Sequence, residues 1–180
     1  MISTTITTDG GISTASDEKK LILRDLEQVF EQTHSSSELF FVLTEFLKER
    51  YSINKSIFVI KESESTLLAI STWNNGQRNE GLSLNLPHTQ SLFEKVMEHG
   101  RIYTEFYSDS FSGNFFERKL LLDDDSKSFA LHPLNCDGRI IGLIGFSSDN
   151  PSAFAMLEEG DSVEVLNRFA ELISKPNGQM

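Results

Sequence analysis

The residues best suited to chemistry lie between Glu105 and His132. This stretch carries Phe106, Tyr107, Phe111, Phe115 and Phe116 among Ser108, Ser110, Ser112, Gly113 and Asn114. Aromatic faces stack on planar groups, while hydroxyls and backbone N–H groups hydrogen-bond anions. Small-molecule sites are mostly apolar with a few polar groups, so this mixture suits binding rather than bond breaking. The simplest reading of the five aromatics is a roof packed on a sheet, and a roof can also be a pocket wall. Asp125 either takes an N–H donor such as an exocyclic amine or belongs to a solvated Asp123-Asp124-Asp125 loop. His132 is either a satisfied histidine of the sheet or a hydrogen-bonding group of the pocket.

No catalytic constellation accompanies these residues. The chain has no G-x-S-x-G, H-E-x-x-H, phosphate-loop or C-x-x-C pattern, and His34, His88, His99 and His132 lack metal-ligand spacing. Cys136 is the single cysteine, so no internal disulfide forms and a reducing cytoplasm is the expected compartment. Its place in a turn reads as incidental. The formal net charge of −11 disfavours nucleic acid and anionic membranes as partners, whereas a small anion meets only its pocket. No apolar run approaches the roughly 20 residues that span a bilayer, and the N-terminus has neither the basic start nor the apolar core of a secretory signal.

The elements that must position the aromatic stretch follow from periodicity and punctuation. A length of 180 residues fits one domain. Residues 1–17, rich in Ser, Thr and Gly, are expected to be disordered. Asp17 is placed to cap a helix through about His34, with Ile22, Leu26 and Val29 on an apolar stripe. Ser35-Ser36-Ser37-Glu38 has capping-box spacing and opens a second helix through about Tyr51. Ser56–Lys61 and Thr66–Trp73 read as strands, with Asn74-Asn75-Gly76 as a stop. Leu82–Leu86 alternates as a half-buried strand. Pro87–His99 reads as a helix closed by Gly100, and Arg101–Thr104 as a short strand. Residues 114–122 have room for a helical turn or two. Ser128–Leu134 and Arg139–Ser148 flank Asp137-Gly138, a strong hairpin signal, and the second run is apolar enough to lie centrally. Gly142 and Gly145 imply close packing against that strand. Asp161–Ser174 is a last helix with two apolar stripes, so it needs two partners: its own sheet, and the first helix or a second subunit's copy. The order predicts an α+β fold with an antiparallel sheet.

Pro133-Leu134, Asp137-Gly138-Arg139, Gly142 and Phe154 before a final helix resemble the closing segment of a GAF domain. Asp149-Asn150-Pro151 through Phe154 to Ala170-Glu171-Leu172 further resembles the DUF484 branch of GAF-like proteins. The resemblance implies a domain over 18–175. Its terminal helices would share one face of the sheet, and a short helix plus the long loop would roof a ligand pocket on the other. It also implies a regulatory rather than enzymatic role, with a cyclic nucleotide such as cAMP as regulatory ligand and no covalent cofactor. A homodimer would form through the terminal helices, and residues 176–180 would link to a signalling output such as a diguanylate cyclase. The dispersed motif of cyclic-nucleotide GAF domains is only partly echoed by Asn114, Phe116 and the Asp run, since its lysine and Phe-to-acid spacing are absent. The candidate ligand-binding set is Trp73, Phe106, Tyr107, Ser108, Phe111, Ser112, Gly113, Asn114, Phe115, Asp125, Ser128, Phe129 and His132. The alternative is a ligand-free dimerisation module.

Overall fold

The Asp137-Gly138 turn fixes the middle of the molecule. Both residues take positive φ (55° and 79°), and Cys136 pairs directly with Arg139 across them. This two-residue turn matches the twist of its strands. The computed structural model describes residues 15–33, 35–106, 111–157 and 162–174. Their elements run α1 (Ala15–Thr33), α2 (Ser36–Tyr51), β1 (Ile53–Ser63), β2 (Thr66–Asn74), β3 (Gln77–Asn79), β4 (Leu84–Asn85), α3 (Leu92–His99), β5 (Tyr103–Glu105), α4 (Phe115–Leu121), β6 (Ser128–Cys136), β7 (Arg139–Ser148) and α5 (Ser162–Ile173). The sheet order is β3-β2-β1-β7-β6-β5, with β4 on β2, and every pairing is antiparallel.

The sheet carries two cores, one on each face. Alternation sends Phe58, Ala130, Ile144 and Phe146 to one side and Ile57, Val59, Phe129, Leu131 and Leu143 to the other. The first side is covered by α1, α2 and α5. Phe58 stacks on Phe40 at 5.7 Å and meets Phe169 edge-on at 5.4 Å. The second side is covered by α3, α4 and the side chains of Tyr103 and Phe111. Gly142 is required where the strands approach most closely, since a Cβ there would lie 2.3 Å from the Val59 carbonyl. A Cβ at Gly145 would lie 3.0 Å from Leu121 of α4, so the roof rests directly on β7.

Several boundaries differ from expectation, each for a local reason. Helix α1 starts at Ala15, which puts Asp17 inside its first turn rather than at its cap and makes residues 15–17 helical. Strand β2 ends at Asn74, as expected, but the sheet continues past Asn75-Gly76. Both residues take positive φ (49° and 96°), closing a two-residue hairpin that adds β3. Only Leu84 and Asn85 of the alternating run form a strand on β2, while Leu82 and Leu86 each keep one backbone hydrogen bond to it; Gly81 and Ser83 take positive φ (71° and 51°) and break the extended path. Pro87–Gln90 lies outside α3, whose N-cap is Ser91. Gly100 ends α3 in the left-handed region, as expected. The second partner of α5 is α1, alongside α2. Ile22, Leu26 and Phe30 face this core, so most of the α1 stripe is used within the domain. Residues 1–14, His34, Asp161 and 175–180, including the expected linker, lie outside the described residues.

Candidate functional site

The roof is built around a residue the sequence reading passed over, Glu117. Its side chain is fully buried. Asn114 caps α4 by accepting from the Glu117 N–H at 2.9 Å, and the Glu117 carboxylate accepts in return from the Asn114 N–H at 3.3 Å. That reciprocal box places the carboxylate at the start of α3. There it accepts from the Ser91 hydroxyl and from the N–H groups of Leu92 (2.8 Å) and Phe93 (3.3 Å). One carboxylate thus joins two helices through the free N–H groups and positive end of α3. Burial pushes its pKa up, and these four donors oppose that shift. Asn114 Nδ2 adds bonds to the carbonyls of Pro87 and Thr89, both at 3.1 Å. At the other end of α4, Lys55 Nζ donates to the carbonyls of Lys119 (3.3 Å) and Leu122 (3.2 Å).

Beneath the roof, Phe111 meets Phe129 edge-on at 5.3 Å, and Tyr103 lies 5.9 Å from the same ring. Ser147 is directly opposite Phe129 in the β6–β7 register, so the two share a face. The Ser147 hydroxyl is buried and finds no hydrogen-bond partner among the described residues. A buried hydroxyl without a partner is uncommon and needs a reason. The remaining space is packed by Phe93, Leu121, Leu131 and Leu143.

The expected set divides. Phe111, Gly113, Asn114 and Phe129 come together under or within the roof. Gly113 is needed there, because a Cβ would sit 2.5 Å from Glu117 Oε1 and 2.6 Å from the Phe111 ring. Phe106, Ser112 and Phe115 belong to the roof but are exposed, with Phe115 67% accessible. Asp125 is exposed in a turn, its N–H donating to Asp123 Oδ1 at 3.0 Å, as the solvated-loop alternative holds. Tyr107 and Ser108 lie outside the described residues.

Three others are on the wrong face for a site under the roof. Trp73 packs in the helix-side core, its indole N–H donating to Glu45 at 3.3 Å. Ser128 donates to the Asn150 carbonyl at 2.7 Å. His132 shares the parity of Ala130 and Leu134, and it borders a cavity of about 450 Å³ with Val163, Asn167 and Glu171 of α5. It is buried, Nδ1 has no hydrogen-bond partner among the described residues, and burial lowers its pKa to about 4. Strand parity alone separates Phe129 from Ser128 and His132. Cys136 is also remote from the roof, its Sγ 2.9 Å from the Ser174 hydroxyl beyond α5. Among the described residues no His, Cys, Asp and Glu group forms a metal-binding cluster. No described helix is long and apolar enough to cross a membrane.

No family model matches the chain, and no curated protein matches it. Solved structures do. A GAF domain from a phosphoenolpyruvate-protein phosphotransferase of Coxiella burnetii superposes with a TM-score of 0.69 at 18% identity, covering 93% of this chain and 98% of that one. The corresponding Acinetobacter domain gives 0.66 at 13% identity over 91% and 95%. The GAF domain of a Bacillus halodurans two-component sensor histidine kinase gives 0.57 at 18% over 78% and 99%. Free methionine-R-sulfoxide reductase of Neisseria meningitidis, bound to its substrate, gives 0.58 at 15% over 93% and 96%. The chain therefore has the GAF fold, which is shared by signalling domains and by enzymes.

Proposed function

We propose that this GAF fold is a regulatory ligand-sensing domain that holds a small molecule between β6–β7 and the α3–α4 roof. The observation carrying this reading is the buried, unpartnered Ser147 hydroxyl beside Phe129 and Phe111. A ligand with a planar group and a polar atom supplies what that layer lacks: a stacking partner and a hydrogen bond. A cyclic nucleotide, with cAMP first, is the ligand to test. The interior is packed, so entry requires the roof to shift, and a ligand that binds only the shifted state moves the population toward it. Leu121 touches β7 at Gly145, and the far side of β7 carries Phe146, stacked on Phe154 at 6.4 Å. Phe154 in turn stacks on Tyr51, whose hydroxyl donates to Ser162 at the start of α5. This chain of contacts gives a roof movement a route to the terminal helices. The GAF domains of the phosphotransferases and the histidine kinase favour a signalling output, with a diguanylate cyclase as one candidate. A homodimer through α1 and α5 would use Leu21, Leu23 and Val29, the apolar residues of α1 left at least partly exposed.

Native mass spectrometry and hydrogen exchange with cAMP, cGMP and other nucleotides test the proposal. Binding should protect 111–122 and 128–132. Ser147→Ala should weaken binding several-fold without destabilising the fold, since it removes a hydroxyl that has no partner. Absence of protection by any nucleotide would leave the second reading, a ligand-free interaction module. That reading is favoured by the apolar packing of Phe93, Leu121 and Leu131.

A further inference from the structure

Strands β1 and β7 are neighbours in the centre of the sheet, yet they part before they end. Their pairing stops at Ile60 opposite Gly142, the rung where only glycine fits. Strand β1 continues to Ser63 and β7 begins at Arg139, so three residues on each side have no partner across the gap. Each hairpin also shifts register near this end, between Lys61 and Ser63 against β2 and between Leu134 and Asn135 in β6 against β7. Such irregularities bend and twist a strand. Where the two hairpins part they leave a notch of about 850 Å³, lined on one side by α3.

The notch has the parts of a peptide site. Residues 139–141 present a strand edge without a neighbour, and an open edge is a template for another strand. Leu67 and Met97 form a buried apolar floor, and Ile140 is half-buried beside them. The rim is acidic on balance. Lys61 pairs with Glu64 at 3.5 Å and His88 with Glu94, which leaves Glu62 and Glu98 without an ion-pair partner among the described residues, against Arg139. We propose that this notch docks an extended basic–apolar peptide segment, which adds as a short strand to the 139–141 edge of β7 while the end of β1 forms the opposite wall. Main-chain hydrogen bonds hold such a segment, alternate apolar side chains reach the floor, and its cations face Glu62 and Glu98. The site lies at the open end of the sheet and does not depend on a ligand under the roof.

The probe is a capped hexapeptide alternating Lys and Val, titrated into the ¹⁵N-labelled chain. Shifts are expected at 61–65, 94–98 and 139–141, with a Kd below about 1 mM. A Glu–Val hexapeptide should not bind in that range. Replacing the central Val by Pro removes a backbone donor and should weaken binding about tenfold, the loss of about 1.4 kcal/mol. The double variant Glu62→Lys, Glu98→Lys changes two exposed side chains, keeps the fold, and should weaken the Lys–Val peptide by a similar factor. No shifts at 1 mM, shifts confined to other surfaces, or equal binding of the Pro peptide would each overturn the proposal.

Discussion

The two faces of the sheet are held in different ways. The helix face has three long helices whose aromatic rings interlock, and its buried hydroxyls pair with each other. Thr44 bonds Ser56 at 2.9 Å, Tyr51 bonds Ser162 at 2.9 Å, and Ser37 bonds Ser71. The roof face has two short helices joined through one carboxylate, a buried hydroxyl with no partner among the described residues, and Phe106, Phe115 and Phe116 exposed. The first face pairs its buried hydroxyls internally, leaving His132 Nδ1 as its one buried side-chain atom without a partner among the described residues, and has the makings of a permanent core. The second concentrates its connection in Glu117, so it can open locally at lower cost than the whole domain. A fold divided in this way keeps one side for stability and the other for response.

The comparison breaks most directly at Phe58, which bridges Phe40 and Phe169. Phe58→Ala should cost about 3–5 kcal/mol and lower the melting temperature of the whole domain. If exchange then rises only in α2 and α5 while the roof stays protected, the helix face is not the shared core. The next effect is a pH effect on the same face. His132 is neutral when folded, with a pKa of about 4, and titrates near 6.5 when unfolded. Its contribution to stability is fully present above 6.5 and is lost as pH falls toward 4, a difference of about 3 kcal/mol. His132→Gln should flatten the urea-measured stability profile across that window, and an unchanged profile would show that the ring titrates alike in the folded and unfolded states.

Glu117 carries the opposite sign. Burial raises its folded pKa above the ordinary 4.5. Its contribution is therefore fully present below the unfolded value and declines as pH rises through the folded one. Glu117→Gln keeps the shape but sets an NH₂ group against backbone donors. It should cost about 2 kcal/mol, read chiefly as faster exchange at 91–93 and 114–121. A uniform loss across both faces would make Glu117 part of a core common to both faces.

What was legible in the sequence tracks how local its cause is. The Asp137-Gly138 hairpin, the Ser35 cap and the Gly100 stop each depend on a few adjacent residues, and each is present. The two-layer cover over an antiparallel sheet follows from the order of those elements. The alternating Leu82–Leu86 run misleads because its backbone turns at Gly81 and Ser83, which hydrophobic pattern does not encode. The face of Trp73 follows from its place in β2, which residue type does not encode. Asn114 and Glu117 stand three apart, as a capping box requires, so the α4 start was readable. That the same carboxylate also caps α3 was not, because the contact joins positions 25 residues apart in the chain. Ser147 was hidden for a similar reason: only strand register brings it opposite Phe129.

The smallest expected effect sharpens the comparison furthest. Phe115 is 67% exposed, touching Phe116 edge-on at 5.8 Å with Lys119 Nζ 5.9 Å above its ring. Little of its surface is buried, so Phe115→Ala should change stability by no more than about 0.5 kcal/mol. Phe111, half-buried against Phe129, should cost more on the same substitution. Were both aromatics ordinary core, the two losses would be alike and would add to that of Phe58→Ala. If the roof is a responsive surface, Phe115→Ala leaves the melting temperature in place and changes only how the roof exchanges when a ligand is added. Paired thermal melts and hydrogen exchange on the two variants, with and without cAMP, separate these outcomes. A melting-temperature drop for Phe115→Ala as large as that for Phe111→Ala would mean that α4 is buried in solution and that the roof is a second core.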